Sequence, residues 1–174
     1  MRVCYFGTYD MGQSRNRAII DGLWQNGVEV IECHAELWRD TADKIRAVKG
    51  GLFAPSLWSR FLVSCLRLLR EYAKVGHYDV MMVGYAGHFD VFLAKLLAIL
   101  PRKPLVFDIF IPLTEIIVEG RRLARRGSLL AQMVYLVDKL SCRLADLVLL
   151  DTDKLRWAYI GAEAVRIDGL TKGD

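Results

Sequence analysis

Residues 80–88 read Val-Met-Met-Val-Gly-Tyr-Ala-Gly-His, an apolar run that stops at two glycines and a histidine. A short run that is apolar at every position is typical of a β-strand covered on both faces. The glycines indicate a tight turn, and residues 88–100 have the apolar spacing of a helix. The stretch therefore predicts a strand, a turn and a helix in succession, which is the repeating unit of an α/β fold.

The same unit recurs on both sides of this stretch. Apolar runs at 3–6, 28–31, 105–107 and 147–150 predict further strands, and residues 14–26, 56–74 and 128–144 predict helices between them. Because strands joined by right-handed helical crossovers run parallel, we expect a Rossmann-like, doubly wound parallel sheet flanked by helices. Val165 and Ile167 predict a short sixth strand, and the 174 residues suit one domain.

The first helix has well-marked ends. We expect Ser14 to cap its amino end and Gly27 to follow its carboxyl end in the left-handed conformation. Its inner stripe is expected to consist of Ile19, Ile20, Leu23 and Trp24.

The composition limits the classes of protein to which the chain belongs. With 53% hydrophobic and 25% charged residues, the chain has enough apolar surface for a folded core. The net charge of +4 is small, so no nucleic-acid partner is expected. The four cysteines are far apart, with no CxxC pair and no histidine at ligand spacing, which predicts buried, reduced thiols without zinc or a redox motif. No metal or other cofactor is expected.

A cytoplasmic location is expected, because the first residues lack the continuous apolar stretch of a secretory signal. The best candidate for a transmembrane helix, residues 57–72, is interrupted by three arginines and a glutamate. Ordinary packing on the sheet explains most of the apolar stripe of this helix, although a basic amphipathic helix also suits a membrane surface. The stripe consists of Leu57, Phe61, Leu62, Leu66 and Leu69, and the basic side of Arg60, Arg67, Arg70 and Lys74.

Candidate site residues lie in the loops after the strands, because open α/β sheets bind ligands beyond the carboxyl ends of their strands. The first loop holds Gly12, Arg15 and Asn16 before a helix amino end, which suits an anion such as phosphate. Tyr9 replaces the second glycine of GxGxxG, and no GK[ST] follows, so the NAD and ATP motifs are excluded. The alternative is a tight turn with a solvated arginine.

The loops after the third and fourth strands supply further candidates. His88, beside Tyr85, is expected at a helix start, where a neutral imidazole suits hydrogen bonding or general base catalysis; alternatively it only caps the helix and faces solvent. Asp108 is our best single polar candidate, because an aspartate in so apolar a stretch must be hydrogen-bonded or used in chemistry. Alternatively, backbone amides of the next loop satisfy it. Thr114 and Glu115 follow in that loop.

Four arginines lie within six residues at positions 121, 122, 125 and 126. A cluster of one sign attracts phosphates or anionic lipid head groups, so Arg121 and Arg122 are candidate substrate-binding residues. The alternative is an ordinary solvated face.

Three stretches of the sequence carry a family resemblance when taken together. They are Arg-Val-Cys-Tyr-Phe-Gly-Thr-Tyr at 2–9 with Ser-Arg-Asn at 14–16 and Gly-Val-Glu-Val at 27–30, Val-Gly-Tyr-Ala-Gly-His at 83–88 leading to Pro-Leu-Val-Phe-Asp at 104–108, and Ala-Asp-Leu-Val-Leu-Leu-Asp-Thr at 145–152. In this order they resemble the amino-terminal domain of the retaining glycosyltransferases of family four, also called group one. Those enzymes have the two-domain GT-B architecture.

The resemblance implies that this domain forms the acceptor side of an interdomain cleft, for a carbohydrate or lipid-linked acceptor. A carboxy-terminal domain would bind the nucleotide-sugar donor and carry two glutamates eight positions apart. No glutamate here is followed by another eight positions later, so we expect that domain to be absent and this chain alone to be inactive. With a lipid-linked acceptor, the basic and apolar surfaces would dock the enzyme on the inner membrane face.

The resemblance also assigns roles to residues. Gly12 and Arg15 would lie on the phosphate side of the cleft, and His88 and Asp108 would contact acceptor or sugar hydroxyls as the catalytic pair. Phe110 stands about where many family members have a histidine, so His88 or Asp108 would serve in its place. The alternative function is a stand-alone, non-catalytic sugar- or nucleotide-binding module. A receiver domain is disfavoured because Gly84 stands where its phosphorylated aspartate would be.

Overall fold

A computed structural model of the chain describes residues 1–37, 55–120, 124–150 and 165–166. Within this part the strands form one parallel sheet in the order β2-β1-β3-β4-β5-β6. The strands are β1 (Arg2–Gly7), β2 (Glu29–His34), β3 (Val80–Val83), β4 (Leu105–Asp108), β5 (Leu147–Leu150) and β6 (Val165–Arg166). The predicted Rossmann-like α/β fold is confirmed, with the sixth strand at Val165–Arg166.

The helices between the strands are α1 (Ser14–Gln25), α2 (Pro55–Val75), α3 (Asp90–Ile99) and α4 (Leu129–Leu144), and a six-residue π-helix spans Glu115–Gly120. The two faces of the sheet are covered differently. Leu68 of α2, Val91 of α3 and Cys142 of α4 belong to one buried core with Phe6 and Phe107 of the sheet. On the other face, α1 packs on Tyr5, Met82 and their neighbours in a smaller core.

The strand register brings the site-bearing loops together. Phe6 lies level with Val83, Val83 with Phe107, and Phe107 with Val148, so these strands end at one edge of the sheet. The chain leaves β1 toward β2 on one side and later enters β3 on the other. The loops after β1 and β3 therefore diverge at a topological switch point, the place where α/β sheets form a crevice.

Details of the first helix correct two expectations. The residue before α1 is Gln13, and no side chain caps the helix, because Ser14 already belongs to its first turn. Ile20 is buried, but Trp24 is 51% exposed, because only part of the predicted inner stripe of α1 meets the sheet. Gly27 has the expected left-handed conformation, with φ of 73°.

The longest helix, α2, differs most from expectation. Its buried residues are Ser64, Leu68 and Val75, whereas Leu62, Leu66 and Leu69 are exposed. Ordinary packing on the sheet therefore does not account for the predicted apolar stripe, because the helix turns another side to the core. No helix in the described part of the chain is both long enough and apolar enough to cross a membrane.

The cysteines are free thiols, as expected, and three of them are buried. Cys65 is only partly buried, because it lies on the flank of α2.

Candidate functional site

The centre of the candidate site is an ion pair at the end of β4. The Asp108 carboxylate accepts hydrogen bonds from Arg15 Nε at 2.9 and 2.7 Å and from Arg15 Nη2 at 2.8 Å. The Asp108 side chain is fully buried, and the Arg15 side chain is 19% exposed. We call these two residues the Arg15 pair. Its geometry is bidentate, the arrangement in which arginine and carboxylate bind most strongly.

Two aromatic rings support the Arg15 pair. The guanidinium carbon of Arg15 lies 4.4 Å from the centre of the Phe110 ring, and Tyr85 packs edge-on against Phe110 with ring centres 5.2 Å apart. Phe110 has φ of 38°, a conformation that is uncommon for residues other than glycine. The loop after β4 thus adopts an unusual backbone conformation at the residue whose ring lies against the arginine.

Asn16, a predicted substrate-binding residue, is an internal anchor of the switch point. Its side chain is 1% exposed; it donates to the backbone oxygens of Asp10 at 3.1 Å and Tyr85 at 2.7 Å and accepts from the Tyr5 hydroxyl at 3.0 Å. These bonds tie the loop after β1 to the loop after β3. Burial raises the pKa of Tyr5, and the Asp108 carboxylate raises it further, so the hydroxyl stays protonated.

A second polar group lies on the opposite face of the sheet, at the start of the loop that ends in the π-helix. The Asp138 carboxylate of α4 accepts hydrogen bonds from the backbone amides of Leu113 at 3.0 Å and Thr114 at 2.9 Å, and from the Thr114 hydroxyl at 2.7 Å. His88 Nε2 lies 3.6 Å from Asp138 Oδ1, and both side chains are fully buried. We call His88, Leu113, Thr114 and Asp138 the Asp138 cluster.

Asp138 was not predicted from the sequence. It occupies an inward position of α4 together with Val134 and Cys142, so the pattern that could have identified it is a carboxylate on a buried stripe. Burial raises the pKa of Asp138, and the hydrogen bonds from Thr114 and Leu113 oppose that increase. Burial and the nearby Asp138 carboxylate also raise the pKa of the Cys142 thiol to about 12.

Asp90 joins the loops after β1 and β3 on the same face as the Asp138 cluster. Its Oδ2 accepts hydrogen bonds from the Thr8 amide at 2.7 Å and the Thr8 hydroxyl at 2.9 Å. Burial raises its pKa, and the bonds from Thr8 oppose that increase. A β-carbon at Gly7 would lie 2.8 Å from Asp90 Oδ2, so glycine is required for this close approach.

The predicted catalytic residues lie inside the protein. Asp108 is covered by Arg15, and this ion pair supplies hydrogen bonds to its carboxylate. His88 is buried and packs edge-on against Phe107, which excludes the solvent-facing cap that was its alternative. α3 begins two residues later, at Asp90. In this conformation neither His88 nor Asp108 reaches a molecule in the crevice directly.

The remaining candidates lie around the rim of the site. The Gly12 amide donates to Asp10 Oδ1 at 2.8 Å, which leaves Gly12 in a closed turn of its own loop. Thr114 belongs to the Asp138 cluster, and Glu115 is exposed at the start of the π-helix. Arg121 and Arg122 lie outside the described residues; Arg125 and Arg126 are exposed.

Chemically, the arrangement offers a fixed cation on an aromatic ring, backed by a buried anion. The described residues contain no group of three or more His, Cys, Asp or Glu side chains that could hold a metal ion. The partly exposed guanidinium of Arg15 suits a hydroxyl or phosphate oxygen, and the partly exposed ring of Phe110 suits the apolar face of a sugar ring.

Comparison with known proteins leaves the family open. No protein-family model matches the chain, and no curated protein matches it.

Proposed function

We propose that this domain is the acceptor side of a retaining glycosyltransferase that moves a sugar from a nucleotide-sugar donor to a glycan or lipid-linked acceptor. The observation that carries the proposal is the Arg15 pair with Phe110, a fixed cation and an aromatic ring at the switch-point crevice of a Rossmann-like domain. The family resemblance supports the same function; it lies in residues 2–9, 14–16 and 27–30, in 83–88 with 104–108, and in 145–152.

Within this proposal, Arg15 is the residue that contacts substrate. Sugar transfer with retention passes through an oxocarbenium-like sugar and a departing diphosphate, so a preorganised cation at the crevice stabilises the transition state more than the ground state. Asp108 is a positioning residue that holds the Arg15 guanidinium in one orientation. Asp138 fixes the loop that carries Phe110, Thr114 and Glu115, and His88 lies 3.6 Å from its carboxylate.

The proposed reaction takes place in the cytoplasm, with nucleotide sugars as donors. When the acceptor is lipid-linked, the domain lies at the inner membrane face. No resident metal or cofactor takes part in the proposal. The donor and its two glutamates would belong to a second domain.

The test is a transfer assay on the full gene product with Arg15→Lys, which keeps the charge but loses the bidentate fork. We expect kcat/KM to fall at least about tenfold, because a misplaced cation loses transition-state contacts. Arg17→Lys is the matched control, since Arg17 lies exposed on the same helix two residues away. Absence of transfer and of nucleotide-sugar hydrolysis in the full gene product would reject the proposal.

The alternative, a non-catalytic sugar- or nucleotide-binding module, is favoured by the complete burial of His88 and Asp108. The two proposals differ in what this chain binds alone. The acceptor-side proposal predicts no measurable affinity of the 174-residue chain for nucleotide sugars in an isothermal titration. Nucleotide-dependent heat that disappears in Arg15→Lys would favour the binding module.

A further inference from the structure

The outer surface of the helix layer formed by α2, α3 and α4 is apolar over all three helices. On α2 the exposed apolar side chains repeat every three or four residues and form one stripe along the helix, and α4 repeats this pattern. The exposed residues are Trp58, Leu62, Leu66 and Leu69 on α2, Leu96 and Ile99 on α3 with Leu100 just after it, and Leu129, Met133, Leu136 and Leu140 on α4. Leu62 is 62% exposed and Leu129 is 74% exposed.

These stripes belong to one side of the molecule. The inner residues Leu68, Val91 and Cys142, one from each helix, share a single buried core on the same face of the sheet. The opposite sides of the three helices therefore point away from the sheet in the same direction. Single exposed leucines are normal on a soluble protein, but adjacent stripes on neighbouring helices are typical of an interaction surface.

The charges that the three helices themselves carry beside the stripes are almost all positive. On α2, Arg67, Arg70 and Lys74 lie along the exposed side next to the apolar stripe. On α4, Lys139 and Arg143 lie toward the carboxyl end. The acidic residues of the three helices are Glu71, Asp90 and Asp138, of which the last two are buried and Glu71 pairs with Lys74 at 2.7 Å.

We infer that this face, which we call the helix-layer face, docks on an anionic lipid surface. An apolar stripe that enters the head-group region beside a row of basic residues fits a negatively charged bilayer. A second copy of the chain fits less well, because two such faces would bring rows of like charge together. The helices lie on the bilayer without crossing it, in accord with the lack of a spanning helix in the described residues. The proposed function puts the domain at a membrane only for a lipid-linked acceptor; this inference assigns the contact to the helix-layer face whatever the acceptor, and it does not rest on that function.

The positions of the helix amino ends determine where the crevice lies relative to the bilayer. The amino ends of α3 and α4, at Asp90 and Leu129, follow loops at the carboxyl edge of the sheet, where the candidate site lies. A bilayer on the helix-layer face therefore runs alongside the crevice and leaves its mouth open to solution.

Vesicle flotation with the 174-residue chain tests the inference. We expect the chain to float with phosphatidylcholine vesicles that contain one quarter phosphatidylglycerol, and to stay in solution with phosphatidylcholine alone. The double variant Leu62→Ser with Leu66→Ser should lower the partition coefficient at least about tenfold, because two leucines no longer enter the bilayer. Arg67→Gln with Arg70→Gln should lower it on the order of tenfold, and high salt should lower it similarly.

The matched controls lie on α1, on the other face of the sheet. Trp24 is 51% exposed and Arg17 is exposed, so Trp24→Ser and Arg17→Gln remove the same kinds of side chain from a surface that does not meet the bilayer. Both controls should float like the unchanged protein. Equal losses in the α1 and α2 variants would overturn the inference.

Four other results would also overturn it. Failure of the unchanged chain to float, or equal flotation with neutral vesicles, would exclude an anionic lipid surface. Sedimentation as a dimer that dissociates in Leu62→Ser with Leu66→Ser would assign the face to a second copy. A clear fall in the melting temperature of that variant, with flotation unchanged, would show that the leucines pack within the chain.

Discussion

The Arg15 pair and the Asp138 cluster both hold a buried carboxylate near the carboxyl edge of the sheet, yet they satisfy it in opposite ways. Asp108 has a full positive charge at bidentate hydrogen-bond distance. Within the described part of the chain, Asp138 accepts hydrogen bonds from neutral donors, two amides and a hydroxyl, and His88 lies at 3.6 Å. In the Arg15 pair a positive charge neutralises the carboxylate, whereas in the Asp138 cluster neutral hydrogen-bond donors solvate it.

The difference follows from the position of each residue. Asp108 alternates with Phe107 along β4 and therefore points to the α1 face, where Arg15 approaches from the first turn of α1. Asp138 points into the other face from the middle of α4, where its hydrogen-bond donors among the described residues are the amides and hydroxyl of a loop. The Arg15 guanidinium is charged and partly exposed, so it suits contact with a ligand. The Asp138 cluster is enclosed, so it suits support of the loop that begins after β4.

Removing the cation from the Arg15 pair should have the largest effect on stability. Arg15→Met leaves the fully buried Asp108 carboxylate without its charge partner, so we expect the free energy of unfolding to fall by about 3–5 kcal/mol. Urea denaturation at neutral pH measures it. The double variant Arg15→Met with Asp108→Leu removes both charges and should recover most of the loss.

Arg2→Met is the matched control for this prediction. Arg2 and Glu29 form a pair of similar length, 2.8 Å, but their side chains are 41% and 59% exposed. Loss of this surface pair should change the free energy of unfolding far less than Arg15→Met does, because water screens an exposed ion pair. Equal losses from Arg2→Met and Arg15→Met would contradict the comparison, since burial would then not matter.

The backbone beneath the Arg15 pair offers the next largest effect. A β-carbon at Gly84 would lie 2.7 Å from a Tyr5 ring carbon and 3.0 Å from Asn16 Oδ1. Tyr5 is buried and hydrogen-bonded to Asn16, so it cannot move aside, and Gly84→Ala should lower the free energy of unfolding by about 2 kcal/mol.

Gly22→Ala should change the free energy of unfolding in the opposite direction. Gly22 lies within α1, and an added β-carbon there meets no atom within 4 Å. Alanine should therefore raise the free energy of unfolding by about 0.5–1 kcal/mol through its greater helix propensity. Thermal melts of both variants measure these changes. Stabilisation by Gly84→Ala would show that the side chains around the switch point can move to admit a β-carbon.

The Asp138 cluster should give the protein a pH dependence that the Arg15 pair does not share. The pKa of Asp138 is raised in the folded state, so folding favours its protonated form. The resulting stability is present below the ordinary pKa of 3.8 and is lost as the pH rises through the raised pKa. Relative to Asp138→Asn, which cannot titrate, the unchanged protein should lose stability as the pH rises from 4 to 7.

Asp90 contributes in the same direction, because its pKa is also raised by burial. Asp90→Asn is therefore measured in parallel, and the double variant should have the flattest pH profile. A difference between the unchanged protein and Asp138→Asn that stays constant across this pH range would show that Asp138 does not titrate there.

The sequence predicted the elements well, because each strand is a short apolar run and each helix has a marked apolar spacing. The run at 80–83 became β3 with the same bounds, and the helix at 128–144 became α4, Leu129–Leu144. Such elements depend on residues near one another in the chain, and glycine at a positive φ, as at Gly27, is equally local.

The site could be predicted only in part, because its contacts join distant residues. Asp108 and Arg15 were both candidates, but they lie 93 residues apart, and their pairing depends on the sheet order. Asp138 was missed because a single aspartate in a helix resembles a solvated one until the inward side is known. The exposed stripe of α2 was assigned to the core for the same reason: apolar residues occupy more than one side of that helix.

The smallest expected change in stability comes from a single hydrogen bond of the Asp138 cluster. Thr114→Val removes the hydroxyl donated to Asp138 Oδ2 at 2.7 Å and keeps the backbone amide bond at 2.9 Å, at a cost of about 1 kcal/mol. The cost should grow with pH, because a hydroxyl binds an ionised carboxylate more strongly than a protonated one. Thr114→Ser keeps the donor and is the control. Urea midpoints at low and neutral pH measure the trend, and a cost independent of pH would mean that Asp138 keeps one protonation state in both conditions.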